Sequence, residues 1–261
     1  MSTKREQPSC KNNGNHQCQD GAIKLAEDKA HCQHCDLNPI CHPPSLNTEE
    51  LDSLDQWFPS RRRLQRGESI FDMGTPFSAI YAVRSGFFKT VLPSGQQRDQ
   101  ITGFQMTGEI LGLDGIGSGF HACRAVALES SEVCMMPYGS IGELAQSLPT
   151  LHAHLNKLMS QRIVQDQSAF TLLANLRSES RLAAFLIDLG KRYAALGYSP
   201  QSFVLRMTRE EIGSYLGLSL ETVSRLFSRF QEEGLVDVQT RHLHITDPET
   251  LALIASGQHP H

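Results

Sequence analysis

Between Arg61 and Pro137 the apolar residues come in short runs: SIF, AIYAV, FFKTVL, DQITG, CRAVAL and EVCMM. Gly67, Gly74, Gly86, Gly95, Gly103, Gly108 and the Gly112–Gly119 stretch divide them. Short β-rich runs parted by glycine predict strands joined by tight turns, hence a small antiparallel sandwich or barrel. The pattern lengthens at Thr150. From there to about Asn175 neither glycine nor proline intervenes, and Asn156, Met159, Ile163, Asp166, Phe170 and Leu173 recur at spacings of three and four. That is the stripe of a coiled-coil seam. A second amphipathic helix is expected from about Glu179 to Leu196, with Gly197 as its cap. Residues 1–31 are polar throughout, and their composition predicts no stable fold of its own. Pro43 and Pro44 then break the chain, and Asn47 with Glu50 predicts a short helix reaching about Trp57.

The segment MTREEIGSYLGLSLETVSRLFSRFQEEGLVDV is the most specific in the chain. Thr208 and Glu211 predict a capping box, and Ile212, Tyr215 and Leu216 an apolar face. Gly217 permits a turn, and Ser219 can cap the helix that follows. On that helix Val223, Leu226, Phe227 and Phe230 face inward, while Glu221, Thr222, Ser224, Arg225 and Arg229 stay outside. Two short helices about a glycine turn predict a helix-turn-helix, whose second helix enters the major groove. GLVDVQTRHLHI predicts two strands turning near Thr240, a wing.

Net charge is −4, so no chain-wide field attracts nucleic acid. Between Arg206 and His244 five arginines face six acids, so the patch is not basic overall. The exposed side-chain types decide in favour of DNA. Arginine bonds guanine O6 and N7 together, glutamate accepts from cytosine N4, and serine suits either. The length of 261 residues predicts two domains. No apolar run approaches the ~20 residues that span a bilayer, and no signal peptide opens the chain, so a cytoplasmic protein with reduced thiols is expected. Its seven cysteines then read as ligands or spare thiols. Three of them, Cys32, Cys35 and Cys41, lie within CQHCDLNPIC. Spacing alone leaves two metals open: zinc could close locally with His31, His34 or His42, and an iron–sulfur cluster would need one remote thiol. No nucleophile–base pair or phosphate loop stands out, so catalysis is not expected.

CQHCDLNPIC, YAVRSGFFKT, DQITGF, GIGSG, ALESSEVCMMP, RLAAFLIDL and MTREEIGSYLGLSLETVSRLFSRFQ, in this order, resemble the CRP/FNR superfamily and its oxygen-sensing FNR branch. The resemblance implies an α+β chain in four parts. Residues 1–44 would form an arm with the cluster cysteines, and residues 45–149 a cyclic-nucleotide-binding-like β-roll. Residues 150–176 would form a long dimerisation helix, and residues 177–261 a winged helix-turn-helix. It implies that Cys32, Cys35, Cys41 and Cys134 hold a [4Fe–4S] cluster that promotes dimerisation in the absence of oxygen. It implies a homodimer switched at Met159, Ile163, Asp166 and Phe170, where facing Asp166 carboxylates would repel. Glu221, Ser224 and Arg225 would read an inverted repeat, TTGAT…ATCAA, in promoter DNA, with Thr222 and Arg229 beside them and RNA polymerase as partner. A cyclic-nucleotide-responsive or zinc-stabilised regulator of the same superfamily is the alternative. Glu109 and Arg124 resemble the nucleotide-holding pair of such relatives, but Ala125 follows the arginine and the intervening loop is long. An ion pair that is satisfied or at the surface is therefore the expectation for them. Cys10 and Cys18 are expected to be spare thiols, and Cys123 a small core residue.

Overall fold

The structure is a computed structural model that describes residues 49–50, 60–94 and 99–258, with only the backbone of residues 168–175. Cys10, Cys18, Cys32, Cys35 and Cys41 lie outside the described residues. So does the helix expected after Asn47, except for Glu49 and Glu50, which are helical.

The glycine-punctuated region forms eight strands in two antiparallel sheets. One has the order β1 (Ser60–Leu64), β8 (Ser131–Pro137), β3 (Ala79–Ser85), β6 (Ile110–Leu111). The other has the order β2 (Ser69–Phe71), β7 (Arg124–Ala127), β4 (Phe87–Leu92), β5 (Gln100–Met106). Leu64, Val83, Phe88, Ala125 and Val133 fill the space between the sheets and are almost wholly buried. β1, SRRRL, and β6 were not anticipated. Three arginines hide the period of β1, which Leu64 in the core and the Arg62 guanidinium on the Ile70 carbonyl at 2.9 Å hold in place.

Helices cover the outer faces. α1 (Ile141–Ser147) and the first half of α2 (Pro149–Asn175) lay Leu144, Leu148, Leu151 and Leu155 over Ile80 and Met136 of the first sheet. The long uninterrupted helix is therefore present, but Met159 packs against this cluster of its own chain. Ile163 and Val164 stand 58% and 57% exposed. α3 (Ser178–Ala195) follows, and Gly197 takes the left-handed conformation just beyond it, at φ 82°.

The C-terminal unit comprises β9 (Ser202–Val204), α4 (Arg209–Leu216), α5 (Leu220–Glu232), β10 (Val236–Gln239), β11 (His242–Ile245) and α6 (Pro248–Ala255). β9, which the sequence did not announce, completes a sheet of order β10-β11-β9. Its core does not stop at the unit's edge. Phe87, Val91, Ile101, Phe104 and Met106 from the second sheet, with Leu128 just past β7, join Leu182, Leu186, Ile212 and Leu216 in one apolar cluster. No helix among the described residues is long and apolar enough to cross a membrane.

Candidate nucleic-acid interface

α4 starts where its sequence places a cap. Thr208 Oγ1 accepts from the Glu211 amide at 3.1 Å, and Glu211 Oε2 accepts from the Thr208 amide at 2.7 Å. Each half satisfies one backbone donor that a helix start leaves open. Gly217, at φ 65°, ends the helix. Gly213 permits the turn, because a Cβ there would lie 2.6 Å from the Leu218 carbonyl oxygen. Ser219 then caps α5 by accepting from the Thr222 amide at 3.1 Å.

α5 buries Val223, Leu226, Phe227 and Phe230 and turns Glu221, Ser224, Arg225 and Arg229 outward, with Thr222 half-buried. The Arg225 guanidinium reaches back towards Thr222 Oγ1 at 3.5 Å, leaving most of its donors pointing away from the core. Arg229 is less available than its exposure suggests, since it pairs with Glu233 at 2.7 Å and also with Glu179 of α3. Arg209, at the first position of α4, stacks its guanidinium 3.2 Å from the centre of the Phe227 ring. Burial lowers its pKa to about 10, and its Nη1 is buried without a hydrogen-bond partner among the described residues. Nothing in the sequence singled Arg209 out, because its partner ring is on the neighbouring helix. The wing turns at Thr240, the one non-glycine residue with positive φ (58°) among the described residues, and exposes Arg241, His242 and His244.

Cys134 lies on β8 between Arg61 of β1 and Ala82 of β3. Its alternation with buried Val133 turns it to the outer face of the sheet, where it is half-buried. Glu132 pairs with Arg84 at 2.9 Å and with Arg61 at 3.9 Å. The register partner of Cys134, Ala82, and, two residues on, Met136 help to line an apolar hollow with Ile110, Leu155 and Leu158. Cys123 is buried, as expected of a core residue. Its thiol lies 3.5 Å from Asp114 Oδ2, which also accepts from the Ala122 and Cys123 amides. Burial, and then the neighbouring Asp114 charge, push its pKa up to about 12 against a smaller opposing pull from Arg162.

Glu109 and Arg124 are each paired, though not with one another. Arg192 of α3 lies 2.7 Å from Glu109, while Arg124 reaches Asp99 at 3.3 Å. Asp166 of α2 is 58% exposed and pairs with Arg162, one turn earlier, at 3.0 Å.

Two family models match this chain: a cyclic nucleotide-binding domain over residues 61–147 and a Crp-like helix-turn-helix domain over residues 180–254. The chain is 46% identical to the transcriptional regulatory protein btr of Bordetella pertussis over 225 residues, covering 86% of this chain and 93% of that protein. It is 43% identical to the transcriptional activator protein anr of Pseudomonas aeruginosa, covering 88% and 94%. It is 41% identical to the fumarate and nitrate reduction regulatory protein of Escherichia coli, covering 86% and 90%. Among solved structures, FixK2 from Bradyrhizobium japonicum superposes with a TM-score of 0.67 at 26% identity, covering 74% of this chain and 96% of that one.

Proposed function

The chain belongs to the Crp/FNR family of transcriptional regulators, and from that premise we propose that it is an oxygen-responsive regulator of anaerobic metabolism. It acts in the cytoplasm as a homodimer on an inverted-repeat promoter site of the TTGAT…ATCAA type, together with RNA polymerase. The observation that carries the reading is the helix-turn-helix, capped at both helices and presenting Glu221, Ser224 and Arg225 outward, joined to a β domain with Cys134 on its outer face.

Cys32, Cys35, Cys41 and Cys134 would hold a [4Fe–4S] cluster, whose reaction with oxygen supplies the sensing chemistry. Cys134 suits a thiolate ligand: it is half-buried on the outer face of the sheet, in register with Arg61 of β1 and Ala82 of β3. Nearby cations and apolar surroundings are the levers that tune such thiolates. Four thiolates gathered from residues 32–41 and β8 would tie the N-terminal arm to the β domain. That domain carries the start of α2 on the same sheet face, so bracing the arm also braces the helix that presents Ile163 and Val164. Dimerisation sets two reading helices about one DNA turn apart, ~34 Å, as a palindrome requires.

A nucleotide-responsive reading has less support. The glutamate and arginine it would draw on are engaged by Arg192 and Asp99.

The test is anaerobic purification followed by the visible spectrum, iron content and duplex binding, before and after air. A brown protein with four irons that loses both colour and DNA affinity in air is the expected result. Cys134→Ser should lack colour and anaerobic DNA binding. A full complement of iron in that variant would remove Cys134 from the ligand set, and a colourless zinc protein would select the alternative.

A further inference from the structure

α4 has a second engagement besides α5. It packs on β5, and the Lys89 ammonium of the neighbouring β4 lies 2.7 Å from Glu211 Oε1. Ser214 Oγ accepts from the Ile101 amide at 2.9 Å and donates to the Asp99 carbonyl at 3.2 Å. The Gln100 side-chain Nε2 donates to the Ser214 carbonyl. Behind these bonds Tyr215 meets the Phe104 ring edge-on at 5.3 Å, and Arg192 donates to the Phe104 carbonyl at 2.7 Å.

Glu211 poses a difficulty for a helix that meets DNA. It sits in the first turn of α4, and in a helix-turn-helix the first helix crosses the phosphate backbone. The amide donors at a helix N-terminus favour anions, and a carboxylate fixed among them repels phosphate. Glu211 cannot swing away, because its Oε2 completes the capping box with Thr208. Its other oxygen goes to Lys89, and both side chains are largely shielded from solvent, 23% exposed for the lysine and 17% for the glutamate.

We propose that Lys89, a residue of the β domain, completes the DNA-binding surface. It neutralises Glu211 and clasps the first turn of α4 to β4, so the reading head meets phosphate at full strength only while docked on β4 and β5. The inference rests on the DNA-binding reading above. It gives the β domain a hold on the head that is separate from dimerisation through α2. Any shift of β4 away from α4 returns an uncompensated carboxylate to the DNA-facing turn.

The experiment uses the full-length anaerobic protein and two duplexes of equal length, one with the inverted repeat and one scrambled. Lys89→Met keeps the aliphatic stem and removes the charge; it should weaken binding to both duplexes equally, about threefold or more at low salt. Glu211→Gln retains the capping box, since glutamine also serves at that position. Alone it should bind as tightly as wild type or tighter, and in the Lys89→Met background it should restore wild-type affinity. Amide exchange at Ile101, which Ser214 protects, should quicken in Lys89→Met while the dimer constant stays unchanged. Undiminished affinity in Lys89→Met, or no rescue by Glu211→Gln, overturns the proposal. If the wild type binds neither duplex, the DNA reading has failed instead. Exchange at Ile101 then decides the clasp, and an unchanged rate in Lys89→Met rejects it.

Discussion

Replacing Asp166 with alanine tests the dimer switch directly. Two carboxylates facing each other at ~4 Å would repel by about 4 kcal/mol at an effective dielectric of 20. The structure calls for a smaller figure. Asp166 is 58% exposed, and the Arg162 guanidinium 3.0 Å away turns each bare charge into an ion pair. Exposed pairs of this kind are worth about 0.2–1 kcal/mol, and splaying into water relieves much of the remaining repulsion. We therefore expect Asp166→Ala to tighten the dimer by about 1–2 kcal/mol, where 1.4 kcal/mol is tenfold in the dissociation constant. Arg162→Gln should act in the opposite direction, because it uncovers the carboxylate, and its effect should shrink in the Asp166→Ala background. Sedimentation velocity of air-exposed protein across a range of concentrations measures both. An Asp166→Ala protein as monomeric as wild type would refute the facing arrangement, and control by oxygen would then have to act through the orientation of the reading head.

Arg225→Ala should lose ~1–3 kcal/mol against the half-site guanine and relax preference at that base pair, as binding to a panel of half-site variants would show. Arg229→Ala should weaken all sites evenly and only slightly, because a guanidinium already paired with Glu179 and Glu233 gives up those bonds to reach phosphate. Native Cys123 should resist iodoacetamide near pH 8 by mass spectrometry, since a buried thiol with a pKa of about 12 offers almost no thiolate; prompt alkylation would mean that this loop opens. Burial raises the Glu211 pKa, but the bonds from Lys89 and Thr208 outweigh it and leave the carboxyl below its ordinary value. The resulting stability is present in full above the unfolded glutamate's pKa and is lost as pH falls through the lower folded value. The stability difference between wild type and Glu211→Gln in urea should therefore shrink between pH ~6 and pH ~3.

The two helices between Thr208 and Phe230 were legible from the chain alone because the caps, the turn and the buried face that make them are local. A cap is settled three residues ahead, a turn by a glycine at positive φ, and the buried face of α5 by a period of 3.6. The strands SIF, AIYAV and FFKTVL were legible for the same reason, as was the unbroken helix after Thr150. Partners far apart in sequence were not. Glu109 was expected in an ion pair, but only folding chose the partner: Arg192, 83 residues away, on a helix that packs on Phe104 of the second sheet. Lys89 was one polar position in a strand until the shared core around Phe104 brought α4 against β4. β1 escaped notice because three successive arginines hide the alternation that marks a strand, and only folding shows the long stem of Arg62 reaching the Ser69 and Ile70 carbonyls. The sequence by itself thus determined which elements form and which faces of them are apolar, since propensity, capping and periodicity act within a few residues. Only the tertiary structure decided which charges meet, because an ion pair is chosen by the packing of whole elements, and that packing is set by apolar burial in which the charges themselves take little part.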